Sequence, residues 1–351
     1  MATLGQNPYL TDIWVGGHHQ FGASWIPNET FIYPIPVSLL FVPLGLLTLY
    51  QAFVVWVMLT QYMIISSVAL LLRLYPAQLI KRFFLPLLAS VIIFRPTIIT
   101  LINGQLGGFL LLVLVCIIYL WESGKWWQGT AFLPILALKP NLGIPIIVLL
   151  SIYLIMQRKI TSLIAGGISG LALLILGLVQ NSNWILEFLN AGNIKFSQTF
   201  GFSPTIWGLS TLLCNYKLNC SLGFGSAFGL IFLIGYIYLL VRKQKLLSPA
   251  LVVGLEITVM LLLTPYTWPY DQLLLIVPII TVTMSLAKAE YRFMPTALIF
   301  LVIDIVSLVL LGISARIQME IWNVMIPFTV FSLLAWYLSK NRKDSQMKGT
   351  G

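Results

Sequence analysis

The sequence predicts an all-α protein that crosses a membrane many times, and its composition and apolar runs support this fold class. Apolar side chains make up 59% of the 351 residues, charged side chains make up 9%, and the mean hydropathy is +0.96. A water-soluble globular domain carries about 25% charged residues, so the composition excludes that class. The charged residues gather between the apolar runs. The net charge of +10 therefore serves to orient the chain in a membrane and does not indicate a nucleic-acid partner.

Apolar runs separated by polar or proline-containing breaks predict about eleven transmembrane helices. About 20 apolar helical residues cross a bilayer, and the chain has room for this number of spans if the connections are short. The predicted spans cover residues 50–72, 83–101, 105–121, 126–138, 142–156, 160–179, 222–241, 249–263, 272–286, 294–311 and 321–338. The three short spans between residues 105 and 156 are predicted to line a cavity rather than lipid. The apolar segment 34–48 is broken by prolines and is predicted to be a re-entrant or interfacial helix.

Basic residues decide the predicted orientation of the chain. Most of them lie on alternate loops and on the C-terminal tail, and the positive-inside rule places that side in the cytoplasm. The rule predicts an extracytoplasmic segment at residues 1–49 and a transmembrane domain at residues 50–339, with a long outer loop at residues 181–221. Residues 340–351 are predicted to form a cytoplasmic tail. We expect an integral protein of a bacterial cell membrane that interacts with membrane lipids.

The three cysteines fall into two classes. Cys116 lies in the middle of a predicted span and is expected to be a small buried apolar residue. Cys214 and Cys220 flank five residues of the long outer loop, in an oxidising location, and are predicted to form a disulfide. Closing this short loop stabilises the fold by roughly 2.4 kcal/mol when treated as a loss of chain entropy in the unfolded state.

Most polar residues at helix junctions are predicted to lie on the outer side of the membrane. The outer junctions are residues 7–33, 103–105, 139–141, 181–221 and 264–271. Two of them adjoin short helices, so together they are predicted to line one outward-facing pocket that dips into the bilayer and admits a lipid-borne substrate sideways. Aromatic rings crowd the same face, and an interfacial aromatic belt is the alternative explanation for them.

Ionisable residues within or at the ends of spans need an explanation, because burying a charge in hydrocarbon is costly. Arg95 and Lys139 are predicted to present a cation to an anion in the outer leaflet, or alternatively to extend to the interface. Glu256 and Asp304 lie in mid-span, where pairing with a neighbouring polar group or protonation is expected. Asp271 opens a helix, where an acid commonly serves as a cap or interacts with the helix dipole.

Several short motifs at these junctions resemble one family of enzymes. They are Leu4-Gly5-Gln6-Asn7-Pro8-Tyr9, Phe31-Ile32-Tyr33-Pro34, Asn103-Gly104-Gln105, Leu138-Lys139-Pro140, and Leu263-Thr264-Pro265-Tyr266 followed by Trp268 and Tyr270-Asp271. In this order the chain resembles glycosyltransferase family 87, which includes polytopic mannosyltransferases of the phosphatidylinositol-mannoside type. The resemblance implies the multi-spanning glycosyltransferase C fold and a polyprenyl-phosphate sugar as donor, with mannose as the family's precedent. It also implies a lipid or glycan acceptor that is glycosylated on the extracytoplasmic face.

The chain departs from the family pattern at its N-terminus. In the family, a first span and an outer loop with the presumed catalytic aspartate precede the Gly-x-x-Pro-Tyr element, and here that element begins four residues after Met1. One interpretation is a truncated or mis-started chain, which is expected to be inactive alone. The other interpretation is a shorter variant whose base lies elsewhere, at Asp12 or Asp271.

Transfer from a sugar phosphate needs a base for the acceptor hydroxyl and groups that stabilise the departing phosphate. The predicted catalytic residues are Asp271, the first choice, and Asp12. The predicted substrate-binding residues are Lys139, Arg95, Asn103, Gln105, Tyr33, Tyr9, Trp268 and Tyr270. The sequence contains no clustered acidic metal site, so neither a metal nor another cofactor is predicted. A transporter or lipid-sugar flippase is the alternative function, although no inverted repeat is visible, and an inactive scaffold is a third.

Overall fold

The structure, a computed structural model, describes residues 6–23, 31–242, 247–290 and 293–347, and these residues contain helices and no strands. The all-α prediction is confirmed. Leu4 and Gly5 of the first motif lie outside the described residues. The helices are α1 (Thr11–Gln20), α2 (Ser38–Phe41), α3 (Leu49–Leu72), α4 (Ala77–Ile93), α5 (Arg95–Ile102), α6 (Gly107–Glu122), α7 (Trp126–Ala131), α8 (Pro140–Met156), α9 (Ile160–Gln180), α10 (Trp184–Thr199), α11 (Ile206–Leu213), α12 (Leu218–Arg242), α13 (Pro249–Leu263), α14 (Ile276–Glu290), α15 (Phe293–Ile317) and α16 (Met325–Met347).

Six helical segments within the described ranges are long and apolar enough to cross a membrane, so the protein is an integral membrane protein but the predicted count of eleven spans is not confirmed. They are Leu49–Leu72, Ile160–Gln180, Leu218–Arg242, Pro269–Lys288, Leu298–Ile317 and Ile321–Ser339. Helices α4 and α5 would add a seventh span if they are counted as one bent span. The predicted span 126–138 is instead the short helix α7 followed by the 3-10 segment Leu133–Leu138. Length and apolarity alone could not separate such pieces from full spans.

The bend between α4 and α5 has a local cause. The two helices meet at 59° on either side of Phe94, whose backbone is extended. Pro96 lies in the first turn of α5, where a missing backbone N–H costs nothing because the first turn has no intrahelical acceptor. The break therefore places Arg95 at the start of a new helix.

Helices α6 and α13 lie at the centre of the main hydrophobic core. Every residue of α13 from Ala250 to Leu262 is buried, and so are most residues of α6. Their lengths of 15 and 16 residues correspond to about 24 Å or less, which is shorter than a bilayer core. Because surrounding helices enclose them, they have no need to match the thickness of the lipid.

Close helix packing around this centre depends on small residues. A Cβ atom at Gly108 of α6 would lie 2.7 Å from the side chain of Thr60 on α3. Glycine thus lets the two helix backbones approach, and any larger residue would push them apart.

The N-terminal segment and the outer loop pack together as a second, smaller hydrophobic cluster. The buried members of this cluster include Tyr9, Phe31 and Ile35 from the N-terminal segment, Trp56 from α3 and Ala191 from α10. The apolar segment 34–48 is not one helix but a chain of short pieces, with 3-10 turns at Ile35–Val37 and Val42–Leu46 on either side of α2.

Much of the long outer loop is helical. It contains α10, a 3-10 turn at Phe200–Phe202 and α11. Cys214 and Cys220 are joined by a disulfide, with their Cα atoms 5.7 Å apart. The buried Glu256 of α13 accepts a hydrogen bond from the Tyr236 hydroxyl of α12 at 2.8 Å, so this acid is paired with a neighbouring polar group.

Candidate active site

The candidate site begins where α13 ends and the chain enters a non-helical turn. After Leu263 the chain passes through the Pro265 and Trp268 region and enters a 3-10 segment, Pro269–Leu275. Asp271 lies in the first turn of this segment. One of its carboxylate oxygens, Oδ2, accepts hydrogen bonds from the Thr267 hydroxyl at 2.9 Å and from the Trp268 backbone N–H at 3.0 Å. Asp271 is therefore a cap, as its position at a helix start suggested, and its other oxygen remains for a second partner.

That second partner is Lys139. The residue lies at the junction between the 3-10 segment Leu133–Leu138 and α8, and its ammonium group donates to Oδ1 of Asp271. The two side chains are only 5% and 1% exposed. The Lys139 ammonium also lies 4.6 Å from the centre of the Tyr270 ring. Buried charges are tolerated only when paired and hydrogen-bonded, and this pair meets that condition.

A cavity of about 360 Å³ adjoins the buried ion pair. Its lining combines the polar end of α13, the start of α8, the N-terminal segment and one face of α10. The lining residues are Ile32, Tyr33, Lys139, Pro140, Asn141, Ile144, Pro145, Phe188, Gly192, Lys195, Phe196, Thr264, Pro265, Tyr266, Tyr270 and Asp271. Four of the predicted site residues, Tyr33, Lys139, Tyr270 and Asp271, are thus brought together although they come from distant parts of the chain.

Three further predicted residues support this lining from behind. The Tyr9 hydroxyl donates to the backbone carbonyl of Tyr33 at 2.7 Å, and the Tyr33 hydroxyl donates to the Gln105 side-chain carbonyl at 3.3 Å. The Trp268 indole donates to the hydroxyl of Tyr266 at 2.9 Å, and Tyr266 lines the cavity. These residues fix the positions of lining side chains.

The turn that carries Asn103 and Gln105 has a simple structural explanation. Gly104 has a φ of +58°, which a glycine adopts without strain. The N–H of Gly104 bonds to the Leu101 carbonyl and that of Gln105 bonds to the Thr100 carbonyl, which is the glycine-dependent ending of a helix. This turn directs Gln105 towards Tyr33 and leaves Asn103 exposed.

The remaining three predicted site residues neither line the cavity nor contact its lining side chains from behind. Asn103 is exposed at the end of α5, and Asp12 is exposed in the first turn of α1, which packs through Trp14 against Phe31. Arg95 is buried but engaged elsewhere, because its guanidinium group donates to Glu320 at 2.9 and 3.0 Å. Asp12, Arg95 and Asn103 were selected for charge or polarity at an outer junction, and the direction in which each side chain points was not visible in the sequence.

The Arg95 group nevertheless reaches the segment that carries Asp271. Arg95 donates to the Asn323 side chain, and Gln272 donates to the Asn323 backbone carbonyl at 2.8 Å. On another side, the Thr100 hydroxyl donates to the Tyr270 carbonyl at 3.2 Å. Hydrogen bonds to Gln272 and to Tyr270 thus hold the 3-10 segment on either side of Asp271 in the sequence.

The sequence interpretation missed several lining residues. Lys195 adds a second lysine to the cavity wall, beside Phe188, Gly192 and Phe196 of the same helix. A signal for them existed, because Phe188, Gly192 and Phe196 follow one another at intervals of four residues, which places them on one helix face. Asn141 was part of a predicted junction, and its side chain donates to the Tyr266 carbonyl at 3.0 Å, which ties two junctions together.

Burial keeps the tyrosines of this site in their neutral form. Burial raises the pKa of Tyr33 above its ordinary value, and the negative charge of Asp271 raises it further. Burial also raises the pKa of Tyr9, with a smaller contribution from the charge of Glu187. Both hydroxyls are therefore protonated at neutral pH and donate the hydrogen bonds described above.

Comparison with known proteins identifies the family of the chain. The family described as glycosyltransferase family 87 matches residues 31–265, which is more than half of the chain and includes Lys139 and Lys195. The match ends shortly before Asp271. No curated protein and no solved structure matches the chain. Neither the match nor the described structure favours the transporter alternative. The apolar helices and the family match together show that this chain belongs to glycosyltransferase family 87 and is an integral membrane glycosyltransferase.

Proposed function

We propose that the cavity beside Lys139 and Asp271 is the site at which a sugar moves from a polyprenyl-phosphate sugar to a lipid or glycan acceptor on the extracytoplasmic face. Mannose is the sugar that the resemblance of the motifs implies. The observation that carries the proposal is the buried Lys139–Asp271 pair next to a largely apolar cavity that also contains Lys195. A charged headgroup with an apolar tail suits such a cavity.

The charges of the lining favour a phosphate leaving group. The cavity wall contains two lysines and one aspartate, so its fixed charges sum to one positive charge. As the bond between the sugar carbon and the phosphate oxygen breaks, the bonding electrons remain on the phosphate. Nearby cations stabilise this growing negative charge, and they do so more strongly in a site that excludes water.

Asp271 is proposed as the base. Its oxygen Oδ1 is paired with Lys139, and an arriving phosphate would offer that lysine a second anionic partner. Oδ1 can then accept the proton of the acceptor hydroxyl while the hydroxyl oxygen bonds to the sugar carbon. The hydrogen bonds from Thr267 and Trp268 to Oδ2 hold the carboxylate in place during this exchange. Asp12 remains the second choice, since its side chain is not among the cavity lining.

The outward orientation rests on the positive-inside pattern of the basic residues. All lining residues of the cavity come from junctions or helix ends assigned to the outer side. The same pattern assigns the C-terminus to the cytoplasm.

The test is transfer of radiolabelled mannose from a polyprenyl-phosphate mannose by the purified protein in liposomes made from a bacterial lipid extract. Asp271→Asn is expected to lower turnover roughly 10²-fold or more while the donor still binds, because only the base is lost. Lys139→Ala is expected to weaken donor binding as well as turnover. Lys217→Ala, which removes an exposed lysine of the outer loop, is the matched control and should retain wild-type turnover. Unchanged turnover in both Asp271→Asn and Lys139→Ala would remove this cavity from the reaction.

A further inference from the structure

One face of α10 forms a wall of the cavity. Phe188, Gly192 and Phe196 lie at intervals of four residues, so they are stacked along the same face of this helix, with Lys195 beside them. Leu186 and Leu189 are 67% and 56% exposed and do not line the cavity. The helix therefore separates the cavity from the surroundings of the protein, with apolar side chains on both sides.

Gly192 leaves a gap in this wall. A Cβ atom built on Gly192 would meet no heavy atom within 4 Å, so the space next to it is open. A Cβ atom at Gly225, by contrast, would lie 2.4 Å from the Trp207 ring. Other helical glycines also have open space beside them, but they are not among the residues that line the cavity, namely Gly16, Gly167, Gly223 and Gly312. Close packing explains a glycine such as Gly225, but it does not explain Gly192. The effect of Gly192 is a notch between the rings of Phe188 and Phe196.

The apolar part of the cavity wall continues onto an exposed apolar surface of α8. Ile144 of α8 lines the cavity and is also 51% exposed. Val148, one turn further along α8, is 53% exposed. An apolar surface thus runs from the inside of the cavity to the outer surface of α8, where a bilayer supplies hydrocarbon chains.

Charge and shape together select the occupant of the notch. Lys195 lies three residues from Gly192 on α10, so a phosphate near this lysine would place its esterified group at the notch. We infer that the notch at Gly192 receives the first isoprene units of the lipid carrier, whose chain leaves the cavity between α8 and α10. Gly192 is then a specificity-determining residue for the lipid part of the donor. This inference rests on the proposed function, because it assigns a place to the chain of the proposed donor.

The test is binding of undecaprenyl phosphate, which carries no sugar, to the purified protein in nanodiscs. Gly192→Leu fills the notch with a side chain. Lipid binding is expected to weaken about tenfold or more, because the leucine occupies the space that the isoprene units would fill. The variant is expected to fold, since the new side chain points into open space and leucine favours a helix more than glycine does. Gly167→Leu on the exposed face of α9 is the matched control, because a Cβ atom there also meets no heavy atom within 4 Å.

The outcomes separate this inference from the proposed function. The inference is supported if Gly167→Leu binds the lipid as tightly as the wild-type protein and Gly192→Leu binds it about tenfold more weakly. Wild-type affinity in Gly192→Leu overturns the notch and leaves the proposed function standing. If Gly192→Leu binds undecaprenyl phosphate normally but loses sugar transfer, the notch holds the sugar or the acceptor, and the inference is wrong. If the wild-type protein does not bind undecaprenyl phosphate, the proposed donor itself is wrong.

Discussion

The buried pair of Lys139 and Asp271 should be essential to the fold and to the reaction in separable ways. Lys139→Met keeps most of the side-chain volume but leaves the Asp271 carboxylate, which is 1% exposed, without its cation. Removing one partner of a buried ion pair costs roughly 3–5 kcal/mol, because the remaining charge is uncompensated. Asp271→Asn likewise leaves the Lys139 ammonium, which is 5% exposed, without its anion, although the amide oxygen can still accept the hydrogen bonds from Thr267 and Trp268.

The double variant is the informative member of this set. Combining Lys139→Met with Asp271→Asn removes both charges, so the cost of an unpaired charge disappears. We expect the loss of unfolding free energy in the double variant to be smaller, by roughly 1–3 kcal/mol, than the sum of the losses in the two single variants. It should nevertheless be inactive in sugar transfer, because the base and the phosphate-binding cation are both missing.

Unfolding in detergent, followed by tryptophan fluorescence, measures the stability of the wild type, the two single variants and the double variant. Sugar transfer in liposomes measures their activity. Lys217→Met, at an exposed position of the outer loop, should change stability by no more than about 0.5 kcal/mol. Strictly additive losses in the double variant would refute the direct pairing. Wild-type transfer by the double variant would refute its part in the reaction.

Three further predictions follow from the same structure. Replacing Cys214 and Cys220 together by serine should lower stability by roughly 2.4 kcal/mol, and a reducing agent should have the same effect on the wild type but none on this variant. The pKa of Tyr33 is raised in the folded state above its ordinary value of 10.0. Above that pH the unfolded chain loses the Tyr33 proton first, so stability falls as the pH rises. Tyr33→Phe should make this fall shallower when unfolding is measured at alkaline pH. Arg95→Met should lower the midpoint of thermal unfolding, whereas a midpoint equal to that of the wild type would show that the contact with the 34%-exposed Glu320 contributes little.

The sequence predicted the class of protein but not the number of spans. Apolar runs are sufficient to predict an all-α membrane protein, because only helices and closed barrels satisfy the backbone in lipid. Residues 249–263 have the same apolar character as a span, yet in α13 these residues are enclosed by other helices. Hydropathy reports how apolar a segment is, and it does not report whether lipid or protein surrounds that segment.

The same limit applies to the site residues, since the sequence indicates which residues are charged but not which groups they contact. Lys139 is predicted as a cation for the substrate anion and Asp271 as a helix cap or base, but their direct pairing depends on a tertiary contact across 132 positions of the chain. Arg95 was predicted in the same role as Lys139 and was assigned to the wrong surroundings, since the bend at Phe94 and the position of Glu320 decide where it points. Sequence can identify a costly charge without identifying what neutralises it.

In the 3-10 segment Pro269–Leu275, two neighbouring side chains contact different parts of the protein. Asp271 belongs to the cavity, while Gln272 is bonded to Asn323 and through it to Arg95 and Glu320. A substitution at Glu320, which is 34% exposed and does not line the cavity, can therefore shift the Asp271 carboxylate by loosening the neighbouring Gln272. Selection for altered activity in this enzyme would then yield variants on two separate surfaces, joined only by one turn of backbone.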